Sequence, residues 1–447
     1  MPRRCLVLLL LALVLGLAGC RREPPAPPKP KILFLGLDGA TWKVIGPMIE
    51  RGELPTFRKV MEEGAVMPEF ETISSTLSPV VWTSVATGRT PEDHGVTSFT
   101  TDLPNGQRIP VTSNQRKARA IWEIASRRGV SVGVVGWWAS WPAEEINGYD
   151  ITDHANPAFS ELLVQDERYW TASREDLARL KRDFYPLDIG PVLARHWMTR
   201  EQFPYEDLQR RGGFTRAQMD LLRAAPWNDR AVYPWLKTFY RVDYPLFRIG
   251  LDLMKERPTD LWMLYLRGSD AVQHYGWDLV EPERFAKPIN NVARDRGLVH
   301  GVYRYLDTFL NEILKARPEG SWLIIASDHG AEASPDAQNP AALTRPGEHS
   351  TAAKGILFIS GPGVKRGYRI QKASPYDLMP TMAWLLGLPL SQELAGHPLI
   401  EAFEEDFARS LPIQTVPSYG ARQVGPLLAS PSDEEMIKSL KNLGYIQ

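Results

Sequence analysis

The chain has 447 residues, of which 43% are hydrophobic and 23% charged, a globular composition with length for one large domain or two ordinary ones. Its 52 Lys plus Arg are balanced by 53 Asp plus Glu, so no net basic field points to a nucleic-acid partner and none is expected.

Residues 1–20, "MPRRCLVLLLLALVLGLAGC", place Arg3 and Arg4 before an apolar core of about 14 residues, short for a membrane span and suited to an export signal. The small residues before Cys20 resemble the lipobox of bacterial lipoproteins, which implies lipidation of that cysteine. Cys5 would leave with the signal, so the mature chain would hold no disulfide. Residues 21–30, "RREPPAPPKP", read as a stiff proline-rich spacer. The expected location is the cell envelope, with a lipid anchor that does not span the bilayer. Arg21 rather than Asp after the cysteine favours the outer membrane where a cell has two.

From Lys31 onward, short apolar runs alternate with amphipathic stretches. The runs are "KILFLGL" (31–37), "SVGVVGWW" (131–138), "LWMLYL" (261–266), "WLIIAS" (322–327) and "GILFIS" (355–360). Between them, 118–129 and 298–320 carry helical periodicity, the first stopped by Gly129. Continuous apolar strands alternating with helices predict an α/β fold with a largely parallel sheet covered on both faces. Residues 155–255 interrupt this rhythm with Arg, Trp, Tyr and Pro and are expected to form a helical insertion, either a cap over the site or a plain helical layer. The expected division is a catalytic domain over 31–400 and a tail over 401–447. In that tail Ser432 and Glu435 suggest a capping box for a final helix.

In open α/β sheets, ligands bind beyond the carboxyl ends of the strands. Three apolar runs here end in metal-ligating side chains: Asp38 after the first, Asp270 and His274 at i and i+4 after "LWMLYL", and Asp328 with His329 after "WLIIAS". His349 sits in a polar loop before the next strand. Mixed Asp and His donors suit zinc or manganese better than calcium. Six ligands divide into two groups of three, and two cations about 4 Å apart clamp the attacking and leaving oxygens of an in-line displacement. A phosphate-ester substrate follows. A nucleophile is expected in "SSTLSPVVWTSVATGRTPEDHG" (74–95), where Pro79 would open a helix capped by Ser78.

These residues resemble the alkaline phosphatase superfamily, most closely its type I phosphodiesterase/nucleotide pyrophosphatase branch, from Lys31 to about Pro389. The resemblance rests on "LDG" with Asp38, "SPVVWTSVATG" followed by "RTPEDHG", "DAVQH", "SDHG" and "GEH". It implies an alkaline phosphatase-like sandwich and two divalent metals. Asp270, His274 and His349 would hold one; Asp38, Asp328, His329 and the Ser78 oxygen would hold the other. Ser78 would be the nucleophile, passing through a phosphoserine. Nucleotide hydrolases of the branch carry Thr-x-Pro at this point, which leaves Thr76 as the alternative nucleophile. They also carry an Asn for the phosphoryl oxygens that has no clear match in this chain. Sulfatases follow their nucleophile with x-Pro-x-Arg, and the Val80–Val81 neighbourhood holds no arginine. "VVGWWASWPAE" (134–144) resembles bacterial phosphohydrolases of the group, with Trp137, Trp138 and Trp141 lining the site or filling the core. A phosphoglycerol or phosphoethanolamine transferase is the rival with the same fold. A metal-containing binding protein is the rival from another class.

Overall fold

The computed structural model describes residues 31–155, 182–227, 229–350 and 353–446. The leader with Cys20, the spacer and residues 156–181 of the expected insertion lie outside them. The apolar runs form the core of one nine-stranded sheet. In chain order its strands are β1 (Ile32–Leu37), β2 (Ala65–Phe70), β3 (Val132–Trp137), β4 (Gly148–Thr152), β5 (Phe184–Tyr185), β6 (Leu261–Leu266), β7 (Trp322–Ala326), β8 (Gly355–Ser360) and β9 (Tyr368–Arg369). The spatial order is β9-β2-β8-β7-β1-β6-β3-β4-β5. The five strands from β7 to β4 run parallel, while β8 and β5 are antiparallel to their neighbours.

Apolar residues are continuous along these strands because each alternate side chain enters a different core. Leu33, Leu35 and Leu37 of β1 face one layer, and Ile32 and Phe34 the other. The first layer contains α1 (Trp42–Glu50), and the second α2 (Ser78–Thr87) and α3 (Ile121–Ser126). Further along, α4 (Val232–Glu256), α5 (Gly268–Gly276) and α6 (Leu298–Ala316) join the first layer, and α7 (Leu378–Leu385) the second. Last comes α8 (Asp433–Leu443), whose Leu443 and Leu440 reach one core each.

Within the described part of 155–255, three short helices precede α4. The long helix itself packs on β6 and β3, so it covers the sheet as well as reaching toward the site. Among the described residues no helix is long and apolar enough to cross a membrane. Ser432 does not cap α8 through its side chain. Ser432 is nevertheless the N-cap residue, and the Asp433 carboxylate closes the turn before it by accepting from the Ser430 amide at 2.7 Å.

A buried histidine braces α2. His94 ends the turn Pro91–His94, with no exposed surface. The Val96 amide donates to its Nδ1 at 3.2 Å, so the proton belongs on Nε2, which lies 3.0 Å from Ser84 Oγ; that hydroxyl in turn donates to Val80 O. Protonating Nδ1 would set two donors against each other. Burial, with the Arg116 charge added, lowers this imidazole from near 6.5 to about 3. Because the folded value lies below the unfolded one, the unfolded chain binds the extra proton. Stability is therefore full above about 6.5 and is lost as pH falls toward about 3. We expect His94→Gln to melt at a temperature less dependent on pH across that window than the parent chain does, by calorimetry. An unchanged pH slope would contradict this.

Candidate metal centre

The register of three parallel strands brings the sequence-predicted ligands level with one another. Leu37 pairs with Leu266, and Gly36 with both Tyr265 and Ala326, so the chain leaves β1, β6 and β7 at one edge. Asp38 follows β1, Asp270 lies in the first turn of α5 after β6, and Asp328 follows β7. Hydrogen bonds between the strand ends lock this edge. Ser269 Oγ donates to Asp38 O at 2.6 Å, Gln273 Nε2 to Gly39 O at 2.9 Å, and Ser327 Oγ to Ala40 O at 2.7 Å. Gly39 has φ +63°, and a Cβ there would sit 2.8 Å from the Asp270 Cβ, so only glycine lets the two strand ends approach.

Two groups of potential ligands result, each with its donor atoms within 4.8 Å of one another: Asp38, Asp328 and His329; and Asp270, His274 and His349. These are the two sets of three expected from the sequence. All but the half-buried His349 are buried. In the first group His329 Nε2 lies 3.5 Å from Asp38 Oδ1 and 3.4 Å from Asp328 Oδ2. In the second His274 Nε2 lies 3.5 Å from Asp270 Oδ1, one helical turn away as the spacing predicted. The His329 and His349 rings stack at 3.9 Å, joining the groups.

The tautomers suit coordination. His274 Nδ1 is 2.9 Å from Gly347 O, and His329 Nδ1 2.9 Å from Gly330 O. A carbonyl only accepts, so each Nδ1 carries the proton and each Nε2 keeps a lone pair for the cluster. Asp328 Oδ2, His329 Nε2 and both His349 ring nitrogens are buried without a hydrogen-bond partner. Native proteins rarely leave such atoms orphaned, and divalent cations are the partners that fit this donor set.

The charges agree. Burial raises the Asp38 carboxyl well above its usual range, and the neighbouring Asp328 and Asp270 add to the shift. Asp328 is raised by burial as well. Burial would also raise Asp270, but His274 beside it, with His329 and His349, holds it below the carboxylate range. Burial, then the charge of His329, push His349 well below the imidazole range.

Ser78 is the first residue of α2. Leu77, not Ser78, occupies the N-cap position, and the Ser78 hydroxyl makes no capping bond. Being inside the helix rather than at its cap, it donates to Asp38 Oδ1 at 3.4 Å. The hydroxyl is buried at the positive end of a ten-residue helix, where an anion is favoured. Of the two candidate nucleophiles, Ser78 rather than Thr76 makes the contact with the ligand group.

Three site residues escaped the sequence reading. Tyr265, in β6, donates to Asp38 Oδ2. Arg267 lies just past β6, in a cleft with Asp38 and Asp270. Tyr445, near the C-terminus, donates to Asp270 Oδ2 and has its hydroxyl 3.2 Å from His274 Nε2. Its ring stacks on Phe99 at 4.6 Å, while Arg345 and Tyr275 donate to the Leu443 and Asn442 carbonyls just before it. The end of α8 thereby covers the second ligand group, and a cation drawing on Oδ2 and Nε2 would take both atoms from this phenol. A buried strand tyrosine and a C-terminal one carry no local signal of such roles. Trp137 and Trp141 are core residues, whereas Trp138 lines the cleft.

Three buried carboxylates repel one another until cations neutralise them. In metal-free protein, Asp38→Asn should therefore raise the melting temperature by a few degrees. With saturating Zn²⁺ the order should reverse, because wild type gains more from binding. Lower stability of the variant in both states would contradict the repulsion.

A family model described as type I phosphodiesterase / nucleotide pyrophosphatase matches residues 32–365. Human arylsulfatase K is 30% identical over 127 residues, covering 27% of this chain and 22% of that protein, so the match spans about a fifth of that relative's length. Among solved structures, murine ectonucleotide pyrophosphatase/phosphodiesterase 5 has a TM-score of 0.48 at 13% identity, covering 85% of this chain and 99% of that one. The human counterpart has 0.47 at 13%, covering 80% and 95%. Phosphonoacetate hydrolase from Sinorhizobium meliloti 1021, in complex with phosphonoformate, has 0.39 at 16%, covering 70% and 60%.

Proposed function

The chain belongs to the type I phosphodiesterase/nucleotide pyrophosphatase family, a family of phosphoester hydrolases, and from that premise we propose a two-metal phosphodiesterase with Ser78 as its nucleophile. The observation that carries the reading is the Ser78 hydroxyl held on Asp38 at the N-terminus of α2, against two adjoining three-ligand groups. Asp38, Asp328 and His329 would hold one divalent cation, and Asp270, His274 and His349 the other. When bound, the pair would neutralise the carboxylates, acidify the serine hydroxyl and stabilise charge on the phosphoryl oxygens.

The chain's own residues do the rest. Asp38 Oδ1 accepts from Ser78 and orients its Oγ toward the phosphorus. Tyr265 holds the other Asp38 oxygen, so the carboxylate cannot rotate away. Attack forms the Oγ–P bond as the bond to the leaving group breaks, and the proton lost by the Ser78 hydroxyl ends on the departing alcohol oxygen. Water then cleaves the phosphoserine and returns the hydroxyl. The positive end of α2 favours the negative charge that gathers beside Ser78 in both steps. Export and anchorage through a lipidated Cys20 complete the proposal and rest on the sequence alone. They would put the site on the membrane-attached face of the cell envelope.

The test compares wild type with Ser78→Ala and Thr76→Ala on an aryl phosphodiester, the matching monoester and the matching sulfate. Ser78→Ala should cut diester turnover by at least about a thousandfold, and Thr76→Ala by less than about tenfold. A ³²P label should stay on wild-type protein after acid quench and be absent from Ser78→Ala. Full turnover without Ser78 would overturn the assignment. Transfer of the label to added glycerol or ethanolamine in preference to water would favour the transferase.

A further inference from the structure

We infer that Arg267 is a binding residue for an anionic oxygen of the substrate. It is 7% exposed and stands three residues before Asp270. Its guanidinium lies over the Trp138 ring at 4.4 Å and the Tyr265 ring at 5.4 Å. Of five N–H donors, Nη2 reaches the Gly136 carbonyl at a long 3.4 Å, and Nε is buried without a partner. Among the described residues no carboxylate lies within ion-pair distance.

The carboxylates whose fields it feels are already engaged by backbone amides. Asp243 accepts from the Arg267 and Gly268 amides at 3.0 and 2.8 Å, and Asp153 from the Ala139 and Trp141 amides at 2.9 and 3.1 Å. A buried cation lacking its counter-ion is costly, and a fold keeps one where an anion will arrive. The surroundings say which anion. Arg267 lines the cleft that also holds Asp38 and Asp270, so its charge faces the place where the phosphate ester reacts. The remaining walls include Phe239, Val242 and Leu440, which exclude water and strengthen a charge–charge contact there. A planar guanidinium resting on an aromatic ring, as this one rests on Trp138, can give two parallel bonds to one oxoanion.

The ligand chemistry is thus an oxoanion on an otherwise apolar ester. It comes either from the non-bridging phosphoryl oxygens or from an acid group on the substituent. Identifying this anion as substrate rests on the hydrolase reading, whereas the anion site itself does not.

The experiment uses the metal-loaded full chain as wild type, Arg267→Met and Arg267→Lys. Met keeps the aliphatic stem against Trp138, so loss of charge is separated from loss of packing. Calorimetry measures binding of inorganic phosphate, and kinetics give kcat and KM for a phenyl phosphodiester and its 4-carboxyphenyl analogue. Arg267→Met should raise KM at least tenfold with a smaller change in kcat, and Arg267→Lys should recover part of the loss. If the oxygen is phosphoryl, phosphate affinity falls in step and both esters suffer equally. If it belongs to the substituent, phosphate affinity holds and the carboxylated ester alone suffers. Phosphate affinity and both KM values within twofold of wild type in Arg267→Met would overturn the inference. Arg267-dependent phosphate binding in a chain that turns over no ester would sink the hydrolase reading and leave the anion site standing.

Discussion

Like charge buried at one sheet edge is the constraint on which the rest of the site depends. Asp38, Asp270 and Asp328 come from three neighbouring parallel strands and meet out of water, among three imidazoles and the hydroxyls of Tyr265 and Tyr445. Such a cluster is poorly stable by itself, since each carboxylate raises the cost of ionising the next. It makes sense as a receptacle for cations, since Asp328 Oδ2, His329 Nε2 and both His349 ring nitrogens are buried in it without a hydrogen-bond partner. The raised Asp38 carboxyl and the depressed His349 imidazole are two faces of that arrangement.

The surrounding fold reads as the means of holding this cluster together. Central strands buried on both sides cannot slip register without carrying core residues into the wrong layer. Hydroxyl and amide side chains then tie each strand end to the next. Second-layer contacts fix orientation: Gly347 and Gly330 carbonyls set the histidine tautomers, and Tyr265 holds Asp38. On the opposite side of the sheet from α4, His94 and Ser84 brace α2, and so the hydroxyl at its first position.

Much of this was legible in the residues, for a physical reason. The five apolar runs are strands, because parallel strands covered on both faces must be apolar throughout. Five of the six candidate ligands follow such runs, His349 lies in a loop before one, and Asp270 with His274 share a helix face by spacing alone. What could not be read depends on tertiary contact. Tyr445 lies 171 residues from His274 in sequence, and Arg267 gains meaning only once its lack of a counter-ion is visible. Ser78 illustrates the boundary: its motif position was readable, but the helix starts one residue earlier than expected, with Leu77 at its N-cap, and the hydroxyl meets Asp38, forty residues away. At Ser432 the N-cap position was readable, but the side-chain bond expected there is not made.

The account stands or falls on the cations. The most direct measurement is the metal content of the purified, Zn²⁺-saturated and gel-filtered chain, located by anomalous scattering in crystals. Two ions per chain are predicted, one against Asp38, Asp328 and His329 and one against Asp270, His274 and His349. A chain that saturates with none, or whose ions lie away from these six side chains, would contradict it.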